Sequence, residues 1–201
     1  MLDSRLGLRS VDILEAEIEE AILYPIFLDL SGRRCVVVGG GEVANRKARK
    51  LLQARAEVVV ISPEVMPEIE SMAVEVYHRP YENGDLEGAY LAFTATDSRG
   101  VNSAVAHEAR ERGIFINVAD KPSEGNFALP STLRRGGLQV SVSTSGASPT
   151  LARSIRGELE KQFGPEWAGL IEELRRRRGD GEEVDEDLQK EVSQCLSQLR
   201  G

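Results

Sequence analysis

A run of three glycines at 39–41 is the feature of this sequence with the clearest chemistry, because it stands between an apolar run and a helical stretch. Residues 39–44 read Gly-Gly-Gly-Glu-Val-Ala and match G-x-G-x-x-A, which in that context is typical of dinucleotide-binding turns. Gly39 would allow the tight turn, Gly41 would let a pyrophosphate approach the backbone, and Ala44 would permit close packing of helix against strand. Free amides at the helix start would face the phosphates. We expect a dinucleotide to contact Gly39, Gly41, Glu42 and Val43; the alternative is a glycine turn that binds nothing.

The end of the next apolar run is where such proteins usually carry an acidic residue that holds the adenosine ribose of NAD. Here the run ends in Ser62 and Pro63, and Glu64 follows. We therefore expect the ribose to be contacted by Ser62 or its backbone, with Pro63 and Glu64 beside it. Spacing alone leaves both NAD and NADP open.

Thr96 and Asp97 follow a further apolar run, at the place where a parallel sheet exposes loops beside a bound dinucleotide. We expect both residues to contact the cofactor. The equally natural alternative is the start of a helix, with Asp97 or Ser98 as its N-cap.

The strands and helices that position these candidate residues can be predicted from the alternation of apolar runs and helical patterns. Apolar or β-rich runs predict strands at 34–38, 57–61, 73–77, 90–94 and 114–117, and helical patterns fall at 42–54 and 98–112. Alternation of this kind predicts right-handed βαβ units and a parallel sheet with helices on both faces. The fold class is therefore α/β, a Rossmann-type parallel sheet.

The pattern changes after Asp120. Extended pieces at 127–131 and 138–143 flank a basic turn at 134–137 and predict a hairpin-like unit. They have no obvious sheet of their own to join, so we expect them to pair with a second chain in a homodimer. Helices are predicted at about 148–163, 166–178 and 183–199, after an acidic amphipathic helix at 11–23. The predicted divisions are an N-terminal helical extension (1–23), a Rossmann domain (24–119), a small α/β dimerisation domain (120–147) and a helical C-terminal domain (148–201).

Composition narrows the class of partner. The 201 residues carry 25 basic and 33 acidic side chains, a net charge of −8, which argues against general nucleic-acid affinity. Charged residues interrupt the first 23 positions, and no apolar run has the length of a membrane span, so we expect no membrane association and a cytoplasmic protein. Cys35 and Cys195 lie far apart in sequence and are expected to be free thiols. His78 and His107 are the only histidines, and we expect no protein metal site.

Five separated motifs, taken together, resemble one family. They are 24–27 (Tyr-Pro-Ile-Phe), the glycine turn with Arg46-Lys47-Ala48, 95–97 (Ala-Thr-Asp), 117–120 (Asn-Val-Ala-Asp) and 143–149 (Ser-Thr-Ser-Gly-Ala-Ser-Pro) with Leu151-Ala152-Arg153. In this order, over about residues 24–165, they resemble the precorrin-2 dehydrogenase family, the N-terminal module of siroheme synthase.

The resemblance implies oxidation of precorrin-2 to sirohydrochlorin with NAD as hydride acceptor, and in some members insertion of Fe²⁺ to give siroheme. It also implies an intertwined homodimer with Rossmann, dimerisation and helical domains. The family aspartate falls on Asp120, where a carboxylate at a strand end could accept a proton during the oxidation; capping of the following loop is the alternative. The phosphorylatable serine of the bacterial enzymes falls on Thr144.

A reduced tetrapyrrole rich in carboxylates needs cationic or amide donors in its pocket. The loop at 145–149, which leads into a helix N-terminus, is the best candidate, and the arginines at 134, 135, 153 and 156 are either further donors or solvated surface charges. The full set of expected substrate contacts is Asn117, Lys121, Thr144, Ser145, Gly146, Ser148 and Arg153. The competing hypothesis is a non-enzymatic Rossmann module that senses nucleotides, which would need no chemistry beyond the nucleotide site.

Overall fold

The computed structural model describes residues 23–72 and 74–199. Apart from Leu23, the predicted helix at 11–23 lies outside the described residues. Among the described residues, no helix is both long enough and apolar enough to cross a membrane.

Five parallel strands form the first sheet, in the order β3-β2-β1-β4-β5. They are β1 (Arg34–Val38), β2 (Glu57–Ile61), β3 (Glu75–Tyr77), β4 (Leu91–Thr94) and β5 (Phe115–Val118). Helices α1 (Glu42–Gln53), α2 (Pro67–Glu70) and α3 (Arg99–Glu111) connect them. The chain moves outward from β1 to β3 and then returns to place β4 against the other side of β1. This reversal creates a crevice at the carboxyl ends of β1 and β4, where doubly wound sheets bind their ligands.

Both faces of the sheet are buried, which explains the nearly unbroken apolar sequence of β1. Cys35 and Val37 point to the α1 side, where they pack with Ala44 and Ala48. Val36 and Val38 belong to the opposite cluster, which includes residues of α3. The predicted Rossmann-type fold is confirmed, and the predicted strands and helices of this part lie within two residues of the observed ones.

The second sheet is an antiparallel hairpin of β6 (Ser131–Arg135) and β7 (Leu138–Val142), joined by the two-residue turn Gly136-Gly137. The hairpin itself was predicted, but the first strand lies four residues later than expected. Arg134 and Arg135 are therefore strand residues and do not form a basic turn. Arg135 is drawn inward because its guanidinium donates to the carbonyls of Phe163 (2.7 Å) and Glu160 (3.3 Å) at the end of the following helix.

Three helices complete the chain: α4 (Pro149–Gln162), α5 (Glu166–Asp180) and α6 (Glu186–Gln198). Ser148 caps α4, since its Oγ accepts the Leu151 N–H at 3.1 Å, and Pro149 occupies the first helical position as predicted. A small third core of Trp167, Leu170, Leu188 and Cys195 joins α5 to α6.

Candidate active site

The glycine turn leaves β1 at the crevice, and backbone hydrogen bonds hold it there. Gly39 has φ +126°, and a Cβ on it would lie 2.6 Å from the carbonyl carbon of Ala95, so only glycine fits. Gly40 passes the loop after β2 so closely that a Cβ would lie 2.7 Å from the Val65 Cα. The Gly39 N–H donates to the Ile61 carbonyl and the Met66 N–H to the Gly40 carbonyl, both at 2.9 Å. The turn is thereby fixed between β2 and β4.

Gly41 is different, because a Cβ there would meet no protein atom within 4 Å. It is the N-cap of α1, and no side chain caps this helix start. The amides of Glu42 and Val43 at the helix start are available to an anion, which fits the pyrophosphate of a dinucleotide. Ala44 is fully buried, as expected for close packing of α1 against the sheet.

The end of β2 offers both a hydroxyl and a carboxylate to a ribose. Ser62 is held in place because its N–H donates to the Tyr77 carbonyl (3.1 Å) and its Oγ donates to the Glu64 carbonyl (2.7 Å). Pro63 and Glu64 are exposed beside it. The Ser62 hydroxyl can still accept a hydrogen bond, while the Glu64 carboxylate makes none to the other described residues.

Thr96 is tied to its own loop. Its hydroxyl donates to the Asn102 Oδ1 at 2.8 Å, and the Asn102 amide returns a hydrogen bond to the Thr96 carbonyl at 2.9 Å. Asn102 is 1% exposed, so its side chain is held in place by its surroundings and anchors the Thr96 loop to α3. Ser98, rather than Asp97, is the N-cap of α3, which leaves Asp97 exposed at the crevice. Cofactor contacts by Thr96 and Asp97 stay a prediction.

Asp120 lies two residues beyond β5, at the same carboxyl edge, and belongs to an ion-pair network. The Arg99 Nη1 is 3.2 Å from its Oδ2, and the other Arg99 nitrogen, Nη2, contacts Glu124. Lys121 also pairs with Glu124, at 2.9 Å. Partial desolvation acts to raise the pKa of Asp120, but the nearby Asn102 amide and the hydrogen-bonded Arg99 guanidinium outweigh it and hold the pKa below its ordinary value. Asp120 is thus an ionised carboxylate at neutral pH, with about a third of its side chain exposed (37%).

Asn117, near the end of β5, is held from two sides. Its amide nitrogen donates to the Phe127 carbonyl at 3.1 Å, and its Oδ1 accepts from the Lys47 ammonium at 3.4 Å. The Phe127 ring packs edge-on against Phe93, with centroids 5.6 Å apart. The segment after β5 therefore packs back onto the parallel sheet.

The loop at 143–149 forms a compact helix entrance. The Thr144 Oγ1 donates to the Ser148 carbonyl (3.1 Å) and accepts the Ser148 N–H (3.0 Å), and Ser145 adopts a left-handed φ of +51°. Gly146, with φ +90°, is exposed. Arg153 is exposed and its guanidinium donates to Thr150. The hydrogen bonds of these residues stay within the loop and the first turns of α4, so they do not join it to Asp120.

The structure thus brings the candidates at 39–43, 62–64, 96–97 and 117–121 to one edge of the parallel sheet and places those at 144–153 in a separate helix entrance. Sequence reasoning missed four contributors: Gly40, Lys47, Arg99 and Asn102. Gly40 could have been suspected from the unbroken glycine run. Lys47 stood in the motif after the glycine turn but was given no role, and the contacts of Lys47, Arg99 and Asn102 are tertiary. Among the described residues, no group of three or more His, Cys, Asp or Glu side chains could hold a metal ion.

Comparisons with known proteins agree with this geometry. A family model described as “Putative NAD(P)-binding” matches residues 26–131, and one described as “Sirohaem biosynthesis protein central” matches residues 135–162. The siroheme synthase of Chromobacterium violaceum is 47% identical over 141 residues, which cover 68% of this chain and 30% of the relative. Siroheme synthase 2 of Aeromonas salmonicida is 40% identical over 162 residues, 80% of this chain and 34% of the relative. The chain thus spans about a third of the length of these curated relatives.

Among solved structures, SirC, described as a precorrin-2 dehydrogenase, superposes with a TM-score of 0.70 at 29% identity, covering 85% of this chain and 87% of that one. The fold and the glycine turn define a Rossmann-type protein of the NAD(P)-binding class. More narrowly, the chain belongs to the precorrin-2 dehydrogenase family, whose members include the N-terminal module of siroheme synthase.

Proposed function

We propose that this protein oxidises precorrin-2 to sirohydrochlorin with NAD as the electron acceptor, a step of siroheme biosynthesis. The observation that carries the proposal is the match to SirC over 85% of the chain, which includes the parallel sheet and continues into the hairpin and helical part. A nucleotide sensor would need only the first of these parts. The helix entrance at 143–149 and the carboxylate at the sheet edge favour an enzyme.

The chain's own residues divide the work. The Gly41, Glu42 and Val43 amides bind the pyrophosphate, and Gly39 sets the turn that exposes them. Bound NAD supplies the hydride acceptor. Removal of a hydride from the macrocycle must be accompanied by loss of a proton, and Asp120, ionised at the sheet edge where the nicotinamide half belongs, accepts it. Arg99 pairs with the Asp120 carboxylate and helps to lower its pKa.

NAD rather than NADP is our choice of cofactor. The loop after β2 reads Ser62-Pro63-Glu64-Val65-Met66 and contains no basic residue. A 2′-phosphate on the adenosine ribose would face the Glu64 carboxylate without a cation from this loop, whereas free hydroxyls can hydrogen-bond to Glu64 or Ser62. Thr96 and Asp97 would line the crevice on the β4 side.

The substrate would be held from two directions. Asn117 and Lys121 flank Asp120 on the parallel sheet, and the loop and helix entrance at Thr144, Ser145, Gly146, Ser148 and Arg153 supply amides, hydroxyls and a cation for its carboxylates. The hydrogen bonds of that entrance do not reach Asp120 within one chain. We therefore propose a homodimer, in which the entrance of one protomer completes the pocket of its partner. Light scattering at micromolar concentration should give twice the mass of the chain, and a monomeric mass would contradict the proposal.

The deciding experiment is an anaerobic assay of precorrin-2 oxidation, followed by absorbance, with NAD and NADP in parallel. We expect sirohydrochlorin to form, faster with NAD. Binding of NAD without oxidation would favour the sensor. Addition of Fe²⁺ after oxidation tests, in the same cuvette, whether the protein also inserts iron into its product.

Asp120 is tested by Asp120→Asn, which keeps the shape of the side chain but cannot accept a proton. We expect oxidation to slow by about 10²-fold or more with unchanged NAD affinity, the usual scale for loss of a general base. Asp120→Ala should behave alike. If both variants oxidise precorrin-2 at the parent rate, Asp120 is only a loop residue in this step. Selective loss of iron insertion would instead assign the carboxylate to metallation.

We also place the protein in the cytoplasm. Cys35 and Cys195 are both free and buried, a state that a reducing compartment preserves. Fractionation of the producing cells, with both thiols titrated after denaturation, would test this placement.

A further inference from the structure

Lys47 is a partly buried cation to which the sequence motifs assign no role. It lies on α1, in the second turn after the glycine turn, and its side chain reaches across to the carboxyl ends of β4 and β5. The ammonium is 4.7 Å from the centroid of the Phe93 ring and 3.4 Å from the Asn117 Oδ1. These two contacts orient the ammonium toward the sheet edge that carries Asn117 and Asp120.

Neither contact neutralises the charge. The Phe93 ring and the Asn117 amide are both uncharged, and in the described part of the chain no carboxylate lies within 4 Å of the Lys47 Nζ. The other charges near it, Arg46 and Lys50 on α1 itself, have the same sign. Burial and these neighbours lower the pKa of Lys47 to about 8. Partial burial of a cation without a counter-ion costs free energy, which an incoming anion would recover.

We propose that the Lys47 ammonium binds a carboxylate of the tetrapyrrole at the β4–β5 end of the pocket, adjacent to Asn117. The inference rests on the proposed function for the identity of the ligand. Asn117 then has two tasks, because it holds Lys47 in place and also lines the pocket. The substrate carboxylate supplies the missing negative charge, and a charge-assisted hydrogen bond fixes that edge of the macrocycle beside Asp120.

Two other roles for Lys47 make different predictions. If it only packs on Phe93 and Asn117, its loss should lower stability without changing ligand affinity specifically. If it binds a phosphate of the dinucleotide, its loss should weaken NAD binding. A carboxylate ligand for the macrocycle predicts a third pattern, in which tetrapyrrole affinity falls and NAD affinity does not.

The test is titration calorimetry of the full-length protein with sirohydrochlorin, the product of the proposed reaction, and separately with NAD. We expect Lys47→Met to weaken sirohydrochlorin binding by about tenfold or more, the scale of losing a hydrogen bond to a charged group. NAD affinity should stay the same. Lys50→Met, which removes an exposed cation one turn further along α1, is the matched control and should bind both ligands like the parent. Lys47→Arg, which keeps the charge, should retain most of the tetrapyrrole affinity.

Proton uptake gives a readout that a packing role would not produce and that needs no variant. A bound carboxylate raises the pKa of the ammonium, so binding should take up protons from the buffer. With the free pKa lowered to about 8, uptake should be small at pH 7 and larger at pH 9. Buffers of different ionisation enthalpy measure it, and the pH-dependent part should vanish in Lys47→Met.

The outcomes separate the two proposals. Unchanged sirohydrochlorin affinity in Lys47→Met would overturn the role of Lys47 while leaving the enzyme proposal standing. A selective loss of NAD affinity would overturn it in favour of the cofactor. Failure of the parent protein to bind or oxidise any tetrapyrrole would overturn the proposed function, and the role of Lys47 with it.

Discussion

Adding one methyl group to either of two neighbouring glycines of the same turn should have different effects: at Gly40 it should lower the stability of the fold, and at Gly41 it should weaken NAD binding. In Gly40→Ala the new Cβ overlaps the carbonyl oxygen of Glu64 and lies 2.7 Å from the Val65 Cα, and both are backbone atoms that cannot rotate away. We expect the free energy of unfolding to fall by about 1–3 kcal/mol, the usual cost of overpacking. In Gly41→Ala the backbone is extended, with φ −88°, and the Cβ meets no protein atom within 4 Å. Stability should change by less than about 0.5 kcal/mol.

For NAD binding, in contrast to stability, we expect Gly41→Ala to be the damaging change. The Gly41 methyl would occupy the space into which the pyrophosphate fits, so a similar overpacking cost of about 1–3 kcal/mol corresponds to a roughly 5- to 150-fold weaker Kd for NAD. Urea unfolding and calorimetry of the two variants and the parent measure both quantities. Parent-like NAD affinity in Gly41→Ala would show that no phosphate approaches this backbone. Equal stability of the two variants would refute the steric reasoning about Gly40.

Further predictions concern the ion-pair network at the sheet edge, the hairpin and the loop after β4. Arg99→Gln removes a cation that lowers the pKa of Asp120, so the acid limb of the kcat/KM profile should move to higher pH. Glu124→Gln removes the other carboxylate paired with Arg99, so Arg99 still pairs with Asp120 and the acid limb should not move to higher pH. Measured pH–rate profiles of both variants test this. Leu133→Ala leaves a cavity in the hairpin, where the Leu133 side chain is 1% exposed. The free energy of unfolding, measured in urea, should fall by about 2–5 kcal/mol. Asn102→Ala leaves the Thr96 carbonyl without its side-chain donor and removes the shorter hydrogen bond of the Thr96 hydroxyl, which keeps only its 3.2 Å contacts with Ser98. It should cost about 1–3 kcal/mol, checked by the same measurement.

Most of the parallel sheet could be predicted from local pattern, because the strand sequences report burial directly. β1 and β2 are apolar on both faces, and their observed bounds are the predicted ones. The hairpin was harder, because neither 127–131 (Phe-Ala-Leu-Pro-Ser) nor 131–135 (Ser-Thr-Leu-Arg-Arg) has a clear apolar–polar alternation that would fix where the strand begins. What separates them is tertiary: Phe127 packs on the parallel sheet against Phe93 and Phe115, so the next strand begins only at Ser131.

The candidate site shows the same division. The glycine turn could be located from its sequence, because its requirement is a backbone conformation that only glycine meets. The partner of Asp120 could not, because Arg99 stands 21 positions earlier in the chain and meets it only when α3 packs beside β5. Lys47 likewise looks like any polar residue of an amphipathic helix until Phe93 and Asn117 are placed beneath it.

The way the loop after β2 holds the glycine turn has a consequence for changing cofactor preference. The contact is made by the Met66 N–H, the Gly40 carbonyl and the Glu64–Val65 backbone, and the Glu64 carboxylate makes no hydrogen bond to the other described residues. Replacement of Glu64 by a basic residue should therefore alter which ribose is favoured without moving the pyrophosphate site. Insertions or deletions in the same loop would displace the turn itself. Cofactor preference can therefore be changed at the side chain of residue 64, provided that the length of the loop is kept.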